Sequence, residues 1–188
     1  MLETQKMVDS NLILPDKIFF TGVPGSRWSG ISQEIKKTPG FNTSDLNQYR
    51  NYQHSEFSGH CGAYFGTGME FSCNLSETNL NAPFSSSKGT KLLLSHEWPF
   101  YFSDIIDNYP NAWIQLVYRD NLESFNWWKQ AGGFNIKYPN YDWFENESVM
   151  LERIIEINKL ILNFGQKHNL KWCQHHKHAD VFITTFKP

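Results

Sequence analysis

The sequence predicts an α/β fold in which a mainly parallel sheet is flanked by helices. Three observations point there. Short, β-rich apolar runs alternate with stretches of helical period. The first run ends in a Gly- and Pro-rich turn that leads straight into a helical pattern. Polar residues follow the ends of three of the runs, which in a parallel sheet share one edge. At 188 residues the chain reads as a single domain, residues 1–188, and at this length folding buries roughly 70% of the unfolded chain's surface.

The first strand is expected at residues 17–23 (KIFFTGV), followed by the turn PGSRWSG and a helix over ISQEIKK that Thr38, Pro39 and Gly40 close. Residues 38–87 carry five charged side chains and many Gly, Ser, Asn and aromatic residues, with neither period sustained. They read as an ordered irregular insertion over about 38–90, with a short helix at 45–53 and a glycine-jointed lid at 58–71. A second strand is expected at 91–95 (KLLLS), with His96 and Glu97 directly after it. A helix over 101–109 then leads to a third strand at 113–118 (WIQLVY) that ends in Arg119 and Asp120. The pattern continues with a helix over 121–131 stopped by Gly132 and Gly133, and a long amphipathic helix over 147–168. Segments 171–174 and 181–186 read as late strands.

Composition limits the function. Seventeen Lys and Arg against nineteen Asp and Glu give a net charge of -2 and a pI near 6.4, which argues against a broad nucleic-acid or anionic-membrane surface but leaves room for a local phosphate site. Aromatics make up 16% of the chain and suggest a ring-lined cavity, with rings clustering from Trp127 to Phe144. Three unpaired-looking cysteines, no leader-like start and no long apolar run fit a cytoplasmic protein with neither disulfide framework nor membrane span.

The turn after the first strand has the makings of an anion site, because free backbone amides and the positive end of the following helix dipole meet there. Set against the nucleotide pattern GxxxxGK[ST], Gly22 and Ser29 match, while Arg27 replaces the glycine and Trp28 the lysine. Without that lysine, an ordinary ATP or GTP site is disfavoured. His96 has a side chain suited to proton abstraction near neutral pH, and Glu97 is placed to orient it or to substitute for it. Cys173, His175, His176 and His178 form a dense cluster of metal-capable side chains. Cys173 and His175 share a strand face, yet no second ligand pair is spaced like a structural zinc site, so the segment reads as an exposed polar turn, with metal binding the alternative.

FFTGVPGSRWSG, LLLSHEWP and WIQLVYRD together resemble the three motifs of sulfotransferases, in the family's order. The resemblance covers residues 17–35 and 90–130. It implies a P-loop-like sulfotransferase architecture that moves a sulfuryl group from 3′-phosphoadenosine 5′-phosphosulfate to a hydroxyl or amine of a small-molecule or saccharide acceptor. No metal is required for this, nor does it involve nucleic acid or a membrane. It further implies that Gly22, Pro24, Gly25, Ser26, Arg27, Trp28 and Ser29 cradle the 5′-phosphosulfate, with Arg27 as cation and Ser26 and Ser29 as donors. Arg119, 23 positions after His96, would hold the 3′-phosphate with help from Ser124, and His96 would be the base. The chain departs from the family pattern at Leu94 (a lysine there), at Trp127 (a phosphate-binding serine there) and in lacking a late Gly-x-x-Gly-x-Trp-Lys segment. A phosphotransferase or nucleotide hydrolase with an altered loop, and a non-catalytic nucleotide-binding module on the same scaffold, remain the alternatives. The residues specify neither the acceptor nor an oligomeric state.

Overall fold

Alternation of apolar side chains builds the sheet. On β1 (Lys17–Thr21), Phe19 faces one side while Ile18 and Phe20 face the other, and all three are buried. β2 (Lys91–Leu94) repeats this pattern with Leu93 opposed to Leu92 and Leu94. Both faces are apolar because both are covered. α1 (Trp28–Lys36) packs Trp28 and Ile31 on one face. The other face receives Leu80 of α2 (Glu77–Asn81), Trp98 of a 3₁₀ turn (Trp98–Tyr101), and Ile105 of α3 (Phe102–Asn108). It also receives Trp128 of α4 (Asn121–Gln130) and the Met150, Ile154, Ile157 and Ile161 stripe of α5 (Glu147–Lys167). This computed structural model describes residues 13–45, 70–71, 73–135 and 146–188.

The five-stranded sheet has the order β2-β1-β3-β5-β4, where β3 is Trp113–Arg119, β4 is Cys173–His175 and β5 is His178–Phe186. β1 pairs in parallel with β2 and with β3, but β3–β5 and β5–β4 are antiparallel. The sheet is therefore mixed, and the expectation of a mainly parallel one is corrected. For β4 and β5 the reason lies at residues 176–177. So short a connection permits only a hairpin, whereas a parallel pair needs a crossover of a dozen residues or more. The turn is marked by no glycine or proline, so the sequence gives little warning of it.

β1 sits between β2 and β3, and the chain leaves β1 toward one side of the sheet and β3 toward the other. The carboxyl ends of β1 and β3, at Thr21 and Arg119, thus flank the point where the connections diverge, a usual place for ligand crevices in open α/β sheets. The expected insertion is partly regular. Ser76 caps α2 by accepting a hydrogen bond from the Asn79 amide, and Phe41 bridges Thr90 beside β2. The short helix read at 45–53 (apart from Asp45), the lid read at 58–71 (apart from Glu70 and Phe71) and the rings at 138–144 lie outside the described residues. Among the described residues no helix is long and apolar enough to cross a membrane.

Candidate functional site: a strand–loop–helix turn with two arginines

The loop after β1 turns tightly. The Ser26 amide donates to the Val23 carbonyl oxygen at 3.0 Å, and Gly25 adopts φ 80. Only glycine suits position 25, since a Cβ there would lie 1.9 Å from the backbone oxygen of Ser124 at the start of α4. Arg27, at the N-cap of α1, takes a left-handed φ of 65 and supplies no side-chain cap. Such a conformation costs a non-glycine residue about 1–3 kcal/mol and is typical of ligand-facing loops. The N-cap residue thus leaves the positive end of the α1 dipole without a cap from its own side chain. The hydroxyls of Thr21 and Ser26 and the Nε of Arg27 are buried with no hydrogen-bond partner among the described residues. Buried polar atoms are normally satisfied, so three orphans within seven residues mark a place shaped for a polar occupant. Trp28 contributes its backbone to this helix start, while its ring packs in the core between Phe20 and His96. Pro24 and Ser29 are buried as well.

His96 follows β2 and is fully buried, its ring centroid 4.0 Å from that of Trp28. Its Nδ1 lies 2.5 Å from the Gly22 carbonyl oxygen. A carbonyl only accepts, so Nδ1 carries a proton, and in the uncharged form of the ring Nε2 is the basic nitrogen. The loop thereby fixes the tautomer of His96. The His96 backbone amide donates to Glu70 Oε1 at 2.9 Å. Glu97 points elsewhere: its Oε2 accepts the Cys73 thiol at 2.7 Å. Burial first, and the Glu97 carboxylate second, push that thiol up to about 11.

Arg119, at the end of β3, is 5% exposed. Its Nη1 donates to the Gly25 carbonyl oxygen at 2.9 Å, and its Nε and Nη2 lie 2.6 and 2.5 Å from Asp180 Oδ2. Its Nη2 also lies 3.7 Å from Glu123 Oε2, so two carboxylates face the guanidinium. Arg27 stacks over the Trp127 ring at 3.9 Å, with Arg119 at 5.8 Å from the same ring. Burial, and then the like charge of Arg119, lower the Arg27 pKa. The Trp127 ring thus brings the two guanidinium groups to one side of the loop, with Asp180 paired to Arg119. Ser124 is fully buried and its hydroxyl donates to the Arg119 carbonyl oxygen at 3.3 Å, so it shapes the β3–α4 turn.

The structure thus brings Gly22, Gly25, Ser26, Arg27, His96 and Arg119 to one edge of the sheet, and turns Glu97 and the Ser124 hydroxyl to other partners. Sequence reasoning missed Asp180, which β5 delivers because Val181 pairs with Arg119. It also missed Asn158, whose Nδ2 donates to the Arg119 carbonyl oxygen at 2.8 Å. Asn158 had a signal, being a polar residue on the buried stripe of α5, while Asp180 had none. At the other end of β1, a groove lined by Lys17, Tyr109 and Ala112 lies away from this chemistry. His175 and His176 gather with Glu34 of α1, and Cys173 is exposed outside that group. No protein-family model, curated protein or solved structure matches the chain.

Proposed function

We propose that the chain is a sulfotransferase of P-loop-like architecture that binds 3′-phosphoadenosine 5′-phosphosulfate at the Gly22–Ser29 turn and transfers its sulfuryl group to a hydroxyl or amine. The observation that carries this reading is the pairing of Arg27 and Arg119 beside the orphaned Thr21 and Ser26 hydroxyls, with His96 of fixed tautomer attached to the same loop. Ser26, Arg27 and the first amides of α1 suit the phosphosulfate, and the Arg119 guanidinium suits the second phosphate. Trp127 replaces the family's serine with a flat surface already stacked on Arg27. The cofactor would supply an activated sulfuryl group, released from its phosphate as the acceptor oxygen or nitrogen bonds to sulfur. His96 Nε2 would take the acceptor's proton, and Arg27 and the loop amides would balance the charge on the departing phosphate.

A non-catalytic nucleotide-binding module on the same scaffold is the second reading, favoured by the full burial of His96 under Trp28. A melting series with adenosine 3′,5′-bisphosphate, ATP and AMP tests the first part. The bisphosphate should stabilise the fold most, by about 2.7 kcal/mol at a hundredfold excess over its Kd, and AMP least. Equal shifts with ATP and the bisphosphate would overturn the assignment. Sulfuryl transfer to a panel of phenols, amines and saccharides then separates enzyme from binding module.

A further inference from the structure

Away from the loop, three metal-capable side chains from two distant places in the sequence converge between α1 and the β4–β5 hairpin. Glu34, His175 and His176 each offer a ligand atom, and these atoms all lie within 4.8 Å of one another. Glu34 Oε2 is 3.8 Å from His175 Nε2, and its other oxygen holds Lys177 Nζ at 2.5 Å. The carboxylate therefore has one oxygen for the lysine and one directed at the histidines. His175 is buried and its ring lies parallel to that of His178, with centroids 5.2 Å apart. His176 is exposed and reaches the cluster from the solvent side.

We propose that Glu34, His175 and His176 bind a zinc-class divalent cation, with the fourth tetrahedral position left to water. Two imidazoles and one carboxylate suit zinc, nickel or copper and poorly suit magnesium or calcium, which take all-oxygen sets. In the structure the Lys177 amide donates to His175 Nδ1 at 3.3 Å. Coordination through Nε2 requires the other tautomer, with the proton on Nδ1, and gives up that long contact. The metal then cross-links α1, which the phosphate-type loop opens, to the hairpin that carries Asp180 and so holds Arg119. Nothing in this depends on the nucleotide reading, and its test contains no nucleotide.

The test is calorimetric titration of the chelator-treated full chain with zinc chloride, with melting followed in parallel and cobalt(II) as an optical probe. One ion per chain should bind and raise the melting temperature. Glu34→Gln and His176→Ala should each weaken binding by at least about 10–100-fold, the range already seen when only a ligand's supporting partner is removed. His176 is exposed, so His176→Ala decides the matter even where His175→Ala does not fold. Cys173→Ser should bind zinc unchanged, and the cobalt spectrum should be tetrahedral without a thiolate charge-transfer band. Wild-type affinity in Glu34→Gln and His176→Ala, a thiolate band, loss of binding in Cys173→Ser, or no binding by the wild type overturns the proposal.

Discussion

Arg119 Nη1 donates to the carbonyl oxygen of Gly25 at 2.9 Å, tying the end of β3 to the crest of the loop that follows β1. The two residues are 94 positions apart, and each constrains the other. Gly25 has no Cβ because α4 presses against it, and Arg119 is held in place by that loop on one side and by Asp180 on the other.

Replacing Arg119 should therefore affect both binding and stability. From the sequence, an arginine at a strand end is expected to be dispensable to the fold. The structure makes it a strut. Arg119→Ala should weaken adenosine 3′,5′-bisphosphate binding by about 1.5–3 kcal/mol, the range for a hydrogen bond to a charged group. It should also lower unfolding stability by about 1–3 kcal/mol, since it leaves the Gly25 carbonyl unpaired. The half-exposed Asp180 adds little to that sum. Arg119→Lys should restore little, because a lysine lacks the fork that spans both partners. Calorimetry with the bisphosphate and urea unfolding check the two parts, and unchanged bisphosphate affinity in Arg119→Ala removes this residue from the anion site.

Two glycines make an opposed pair. Gly25→Ala meets both a left-handed φ and a 1.9 Å contact with Ser124, so it should destabilise by more than the roughly 1–3 kcal/mol of backbone strain alone. Gly30, exposed in the first turn of α1, has nothing within 4 Å of its would-be Cβ. Gly30→Ala should stabilise by about 0.5–1 kcal/mol through the unfolded chain's entropy. Denaturant midpoints of the two variants should move in opposite directions.

His96→Asn should reduce sulfuryl transfer by about 10²–10⁴-fold, the usual contribution of a general base. Bisphosphate affinity should fall far less. Glu97→Gln should retain activity, because its carboxylate engages Cys73. It should instead lower the Cys73 pKa from about 11 by removing the negative charge beside the thiol. Alkylation of Cys73, followed by peptide mass spectrometry across alkaline pH, should then proceed at lower pH in the variant. A larger activity loss in Glu97→Gln than in His96→Asn would transfer the base role to Glu97.

Acid should loosen the junction of α5 and β5. The His168 ring lies 4.4 Å from that of Phe164 and 4.6 Å from that of Phe186, and burial, then Lys167, lowers its pKa below 6.5. A histidine with a depressed folded pKa takes up its proton more readily when unfolded. Its stabilising contribution is thus complete above about pH 6.5 and is lost as the pH falls through the folded value. Melting temperature should decline below that point, and His168→Leu should flatten the decline. An equally steep acid limb in the variant would assign it to other groups.

Much of the architecture was legible because it depends on local pattern. Alternation along 17–21 and 91–94, the i, i+3, i+4 stripe of α5 and the glycines of the turn are short-range signals, and each element formed within a few residues of its expected bounds. α1 begins at Trp28, ahead of the helix read from ISQEIKK, because Arg27 accepts a left-handed φ that intrinsic preference disfavours. The 3₁₀ turn at Trp98–Tyr101 follows from Pro99 near its start together with the burial of the Trp98 ring.

By itself the sequence determined an α/β chain with a strand–turn–helix start, and placed His96 and Arg119 directly after or at the end of strands. Tertiary structure alone decided the direction of β5 against β3, and the hairpin of β4 and β5 rests on a two-residue turn without a marked signal. From that direction came Asp180 beside Arg119, and His175 and His176 beside Glu34. It also decided which side chains the site keeps: His96 is bonded to Gly22, while Glu97 is drawn to Cys73 and the Ser124 hydroxyl to the Arg119 carbonyl. Those pairings join residues far apart in the chain or on opposite sides of one turn, and only packing of the sheet's two faces brings them within hydrogen-bonding reach.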